Sequence, residues 1–227
     1  MASDMQKIGG IAAIIEALAY IVGFAVMFTV LMPDNADALN AAQRFAFALD
    51  KQAIIIAWHL FIYVFFGVVL VVLSLALHQR LAAHAEALTK VATAFALIWA
   101  GLVIAAGMIA NTGLAAAAKL HAIDPLQAVA LWHSVSAIQE GIGGGVELVG
   151  GLWVILISWA ALRQAAFPSW LNYFGIAVGV AGVLTVIPTL KELGALFGLG
   201  QIVWFAWLGT VMLRAPAPRP RSSPLTV

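Results

Sequence analysis

Six runs of about twenty mostly apolar residues, bounded by charge, proline or glycine, constrain this chain more than anything else in it. A helix needs about 20 such residues to cross the ~30 Å hydrocarbon core of a bilayer. The runs are Ile8–Met32, Gln52–Leu77, Val91–Leu114, a long one ending at Leu162, Trp170–Ile187 and Leu193–Leu213. Composition agrees, with 64% hydrophobic residues and 9% charged, against about one half and one quarter in soluble domains. A soluble fold cannot hide that much apolar surface. The expected fold is therefore all-α: a polytopic membrane bundle of six transmembrane helices over residues 1–213, solvated by the lipid bilayer.

The first run is too long for a signal-peptide core and only Lys7 precedes it among basic residues, so it is expected to stay uncleaved. Lys and Arg counts set the orientation. Lys7, Arg80, Lys90, Arg163, Arg214, Arg219 and Arg221 fall on one side, and Arg44, Lys51, Lys119 and Lys191 on the other. That asymmetry puts both termini in the cytoplasm. The tail over 214–227, RAPAPRPRSSPLTV, is rich in Pro and Ser and is expected to be extended and solvated. With a net charge of +1 and no dense basic cluster, the chain has no nucleic-acid partner to expect. The absence of cysteine excludes disulfides, thiolate metal sites and thiol redox chemistry.

The segment from Asp124 to Arg163 is too long for one perpendicular crossing, since a continuous helix there would reach ~57 Å. Asp124-Pro125 has the form of a helix start, with a capping carboxylate and proline at the first turn. The glycine-dense stretch EGIGGGVELVGG is the expected break or kink. If the helix is continuous, His133, Glu140 and Glu147 share one face, because a seven-residue step drifts only ~20°. Ser136 lies beside the first of them. Such a stripe belongs inside a bundle or against an aqueous cavity.

His59 and Tyr63 in the second run and Asn111 in the third are expected to meet Glu140 and Glu147 in the outer half of the bundle. Glu16 lies nearer the cytoplasmic side. Two imidazoles and two carboxylates (His59, His133, Glu140, Glu147) form the N/O donor set of a divalent metal, and the two histidines form a pair that would ligate haem b. The i, i+7 spacing is not diagnostic, since helical metal pairs use i, i+3 or i, i+4. A lone membrane His or Tyr more often bonds a neighbouring helix. A buried Glu has to be protonated, paired or hydrated, which makes Glu147, then Glu140, the catalytic candidates as well. Gly141 with Gly145, extended by Gly150 and Gly151, reads as a small-residue surface for close helix packing. Trp170, Trp204 and Trp207 fit interfacial belts. Trp58, Trp99, Trp132, Trp153 and Trp159 are candidates to line an aromatic pocket.

From His133 onward the order is a membrane histidine, a small-residue-rich helix ending GGLWVILISWAALRQ, then FPSWLNYFGIAVGVAGVLTVIP. With Pro168, Leu171, Gly175, Gly179 and Pro188 in place, the chain resembles a family of bacterial integral membrane proteins known as domain of unknown function 4386. The resemblance implies a six-helix protein of the bacterial cytoplasmic (inner) membrane and supplies no activity and no catalytic residue. The residues themselves point first to binding of a lipophilic or protonatable small molecule at a His/Glu pocket, with a metal or haem as the cofactors to test. The alternative is an intramembrane enzyme, an acid-catalysed isomerase or cyclase acting on an isoprenoid-like lipid. A third reading is a proton-coupled transporter using Glu16 and Glu147. A homo-oligomer or a membrane-complex subunit is compatible with all three.

Overall fold

The computed structural model describes residues 2–33 and 35–214, so residues 215–227 of the expected tail lie outside it. Every regular element among the described residues is helical. Five helical runs are long and apolar enough to cross a membrane: Asp4–Leu31 (α1), Gln52–Ala83 (α3), Ala85–His121 (α4), Pro125–Gln164 and Leu193–Arg214 (α8). Between α1 and α3 lies the short helix Ala41–Asp50 (α2). The expected sixth span is a shorter apolar helix, Ser169–Leu184 (α7), of 16 residues. At 1.5 Å per residue it is ~24 Å long. Its end is set by Pro188, which disfavours helix at the preceding residue; Ile187 is accordingly extended, at φ −87° and ψ 115°.

The fourth run does break. Asp124 caps Pro125–Gln139 (α5), its carboxylate accepting from the N–H groups of Leu126 and Gln127 at 3.1 Å each. A wide π turn, Glu140–Gly144, follows. Gly143 there has φ +128°, a conformation costly for residues with a Cβ. Helix resumes as Leu148–Arg163 (α6), with Glu147 as its N-cap. The continuous helix that would align His133, Glu140 and Glu147 is therefore absent.

Small residues close the bundle into a ring. Gly9 of α1 packs on Ala76 of α3, and Gly67 of α3 on Ile104 of α4. Gly150 of α6 lies against the Trp99 indole of α4, and Gly151 against the backbone of Gly179 in α7. Gly200 of α8 meets Val178 of α7, and Gly209 of α8 meets Gly10 of α1. Without a hydrophobic drive between helices in lipid, this close approach supplies the packing. Aromatic rings fill the centre: Trp153 is fully buried, with the rings of Trp99 and Trp204 at 5.6 and 5.7 Å. A second, smaller core holds Phe45 and Ala48 of α2 against Leu114 and Ala117 of α4 and Ala128 of α5.

Candidate functional site

Three π turns occur among the described residues, Met27–Leu31 at the end of α1, Leu60–Phe65 within α3, and Glu140–Gly144 after α5. All three contribute wall to one cavity of about 330 Å³: Met27 and Phe28 from the first, Ile62 and Tyr63 from the second, Gly143 and Gly144 from the third. Such turns insert an extra residue into the helical ladder and recur at functional sites. Tyr20, Phe24, Trp58, Phe66 and Trp99 supply aromatic faces, and Glu147 supplies the carboxylate. Met27 and Phe28 are 37% and 60% exposed on the outside of the bundle, so the cavity is open at that edge.

The turns are held by a few polar contacts. The Tyr63 hydroxyl donates to the Gly144 carbonyl at 3.2 Å and accepts from Gln139 Nε2 at 3.0 Å, tying α3 to the broken helix. Trp58 Nε1 donates to the Gly23 carbonyl at 2.9 Å. The Glu147 N–H donates to Thr185 Oγ1 at 2.8 Å, anchoring the start of α6 to the end of α7. The Glu147 carboxylate itself has no hydrogen bond or ion pair among the described residues. It lies within electrostatic reach of the Tyr20 and Tyr63 hydroxyls, which line the same cavity.

The other residues singled out from the sequence divide between several places. His59 and Asn111 meet, Nδ1 to Oδ1 at 2.8 Å, and Asn111 Nδ2 also donates to the Ile56 carbonyl at 3.2 Å. His59 and Ser136 line a second cavity of about 190 Å³, separate from that of Glu147, with Trp58 and Met27 on the walls of both. His59 and Glu147 thus line adjacent but different cavities. Glu140 pairs with Lys191 from the α7–α8 connection. His133 is exposed and lines neither cavity.

Among the described residues no three His, Asp or Glu side chains gather to hold a metal ion. His59, His133, Glu140 and Glu147 therefore do not form the donor set expected for a divalent cation, because the helix break separates the carboxylates and His133 turns outward. Haem b has no better support, since the two histidines do not share a cavity.

The glycines also separate. A Cβ placed on Gly141 would meet no neighbouring helix within 4 Å, and the nearest contacts of one on Gly145 would be with Glu140 of its own turn. Gly150 and Gly151 are the pair at helix interfaces. Of the candidate tryptophans, Trp58 and Trp99 line the larger cavity and Trp58 and Trp132 the smaller. Trp153 is in the core, and Trp159 is 45% exposed. Tyr20, Gln139 and Thr185 escaped the sequence reading. Tyr20 had one available signal, its place one turn beyond Glu16 on the same helical face.

Apolar helices ringed about an aromatic core, with an edge-open cavity holding one carboxylate, define a multi-pass helical membrane protein. Residues 8–211 match the family model Domain of unknown function (DUF4386), and the chain belongs to that family. No curated protein and no solved structure matches it.

Proposed function

We propose that this protein crosses the inner membrane of a bacterium six times, with both termini cytoplasmic, and binds a lipophilic small molecule in the aromatic cavity beside Glu147. The observation that carries the reading is the convergence of all three described π turns on that one cavity. Each wide turn departs from the regular helix that precedes it, and nothing in membrane packing requires three to coincide. The volume lies at the small end of the ~300–1,000 Å³ typical of ligand sites. An intramembrane carboxylate in a cavity is a functional residue by default. The exposed Met27 and Phe28 give a ligand a route in from the lipid side. His59 and Ser136 act as the polar wall of the neighbouring chamber, outside the primary contact set.

Ala195 lines the cavity yet is exposed, so Ala195→Phe fills space without disturbing the core. Neopentylbenzene, a compact neutral aromatic, is the probe. Calorimetry on protein in phosphatidylcholine nanodiscs should give saturable 1:1 binding, weakened about tenfold or more by Ala195→Phe. Uptake no greater than that of empty nanodiscs would remove the reading.

A further inference from the structure

We infer that the cavity selects a cation: a small amphiphilic ammonium or comparable organic monocation, held by Glu147 and the surrounding ring faces. The inference rests on the cavity being a ligand site and adds the charge of the ligand. Among the described residues no Lys, Arg or His lines the cavity, and Glu147 is the one carboxylate on its wall. Lys191, in the α7–α8 connection, is paired with Glu140. No cationic side chain on the wall therefore pairs with Glu147, and a ligand bearing a positive charge would.

The donors point the same way. Trp58 Nε1 is spent on the Gly23 carbonyl and the Tyr63 hydroxyl on the Gly144 carbonyl. Trp99 Nε1 is buried away from the surface of the cavity. An anion or a carbonyl ligand would find only the Tyr20 hydroxyl free among these side chains, a group that accepts as readily as it donates. What the wall offers in quantity is acceptor character: a carboxylate and the negative faces of Tyr, Trp and Phe rings. Ring faces around a carboxylate are the arrangement that attracts desolvated quaternary and protonated amines. The apolar remainder of the wall, Ile62, Val103 and Met27 among it, suits the hydrocarbon part of the same molecule.

The test pairs benzyltrimethylammonium with its neutral isostere neopentylbenzene, titrated into protein in uncharged phosphatidylcholine nanodiscs. Wild type should bind the cation at least tenfold more tightly than the isostere. Glu147→Gln should erase that preference, with a helical circular dichroism spectrum and a melting temperature matching wild type reporting that the variant is folded. Glu147→Asp should retain the preference. Equal affinity of the two probes for wild type, or a preference that survives Glu147→Gln, overturns the inference and leaves the lipophilic site standing. Binding of neither probe removes both.

Discussion

At the residue scale the glycines divide sharply by what surrounds them, although the sequence presents them as one cluster. A Cβ on Gly151 would sit 2.5 Å from the Gly179 carbonyl oxygen and 2.6 Å from the Val183 nitrogen, both backbone atoms of α7. Backbone cannot rotate aside as a side chain can, so α6 and α7 would have to part. Gly151→Ala should therefore lower stability by about 1–3 kcal/mol, the usual cost of forcing extra volume into a packed interface. Gly141→Ala meets nothing and should stay within about 0.5 kcal/mol of wild type. Thermal unfolding of the two variants in the same detergent checks the contrast, and equal melting temperatures would refute it. Glu16 presents the converse case, a fully buried carboxyl whose oxygens have no protein partner among the described residues. Tyr20, one turn along, is within electrostatic reach of both Glu16 and Glu147.

At the scale of elements, the break between α5 and α6 and the wide turns determine where the cavity forms. Gly143 is the hinge of the break: its φ of +128° is strained for any other residue, while the space for a Cβ is ordinary, 3.6 Å from Leu102 Cβ. Gly143→Ala should therefore isolate the backbone term, costing about 1–3 kcal/mol, and it should weaken neopentylbenzene binding because Gly143 and Gly144 form the cavity wall. A melting temperature and an affinity both equal to wild type would show that the turn tolerates a side chain. The break was legible in the sequence, since glycines and carboxylates crowd a run too long for one crossing. The π turn in α3 was not: LFIYVF is as apolar as its neighbours, and the extra residue leaves no mark in composition. For the same reason the seven-residue stripe misled, because that spacing has meaning only on an uninterrupted helix. The expected meeting of His59 with Asn111 is present, although His59 stands directly before the π turn of α3.

At the scale of the whole molecule, the helices differ too much in length to end in the same two planes. With 32 and 37 residues, α3 and α4 reach ~48 and ~56 Å, whereas α7 reaches ~24 Å. The excess lies toward the α2 and α5 side, where Phe45 packs on Trp132 and His121 at 5.6 Å each. Hydrocarbon ~30 Å thick would then cover the ring of α1, α3, α4, α6, α7 and α8, leaving the α4–α5 connection in water beyond it. The number of crossings turns on α7: if that short helix spans, the ends of the chain lie on the same side, and if it does not, they lie on opposite sides. Because the sequence contains no cysteine, single-cysteine variants report position without background. Lys7→Cys and Arg214→Cys should resist a membrane-impermeant maleimide in intact cells and react after permeabilisation, as the bias of seven basic residues against four requires. Leu126→Cys, at a position 84% exposed just after the α4–α5 turn, should react in intact cells. Labelling of Arg214→Cys in intact cells with Lys7→Cys still protected would mean five crossings, with α7 lying in one leaflet.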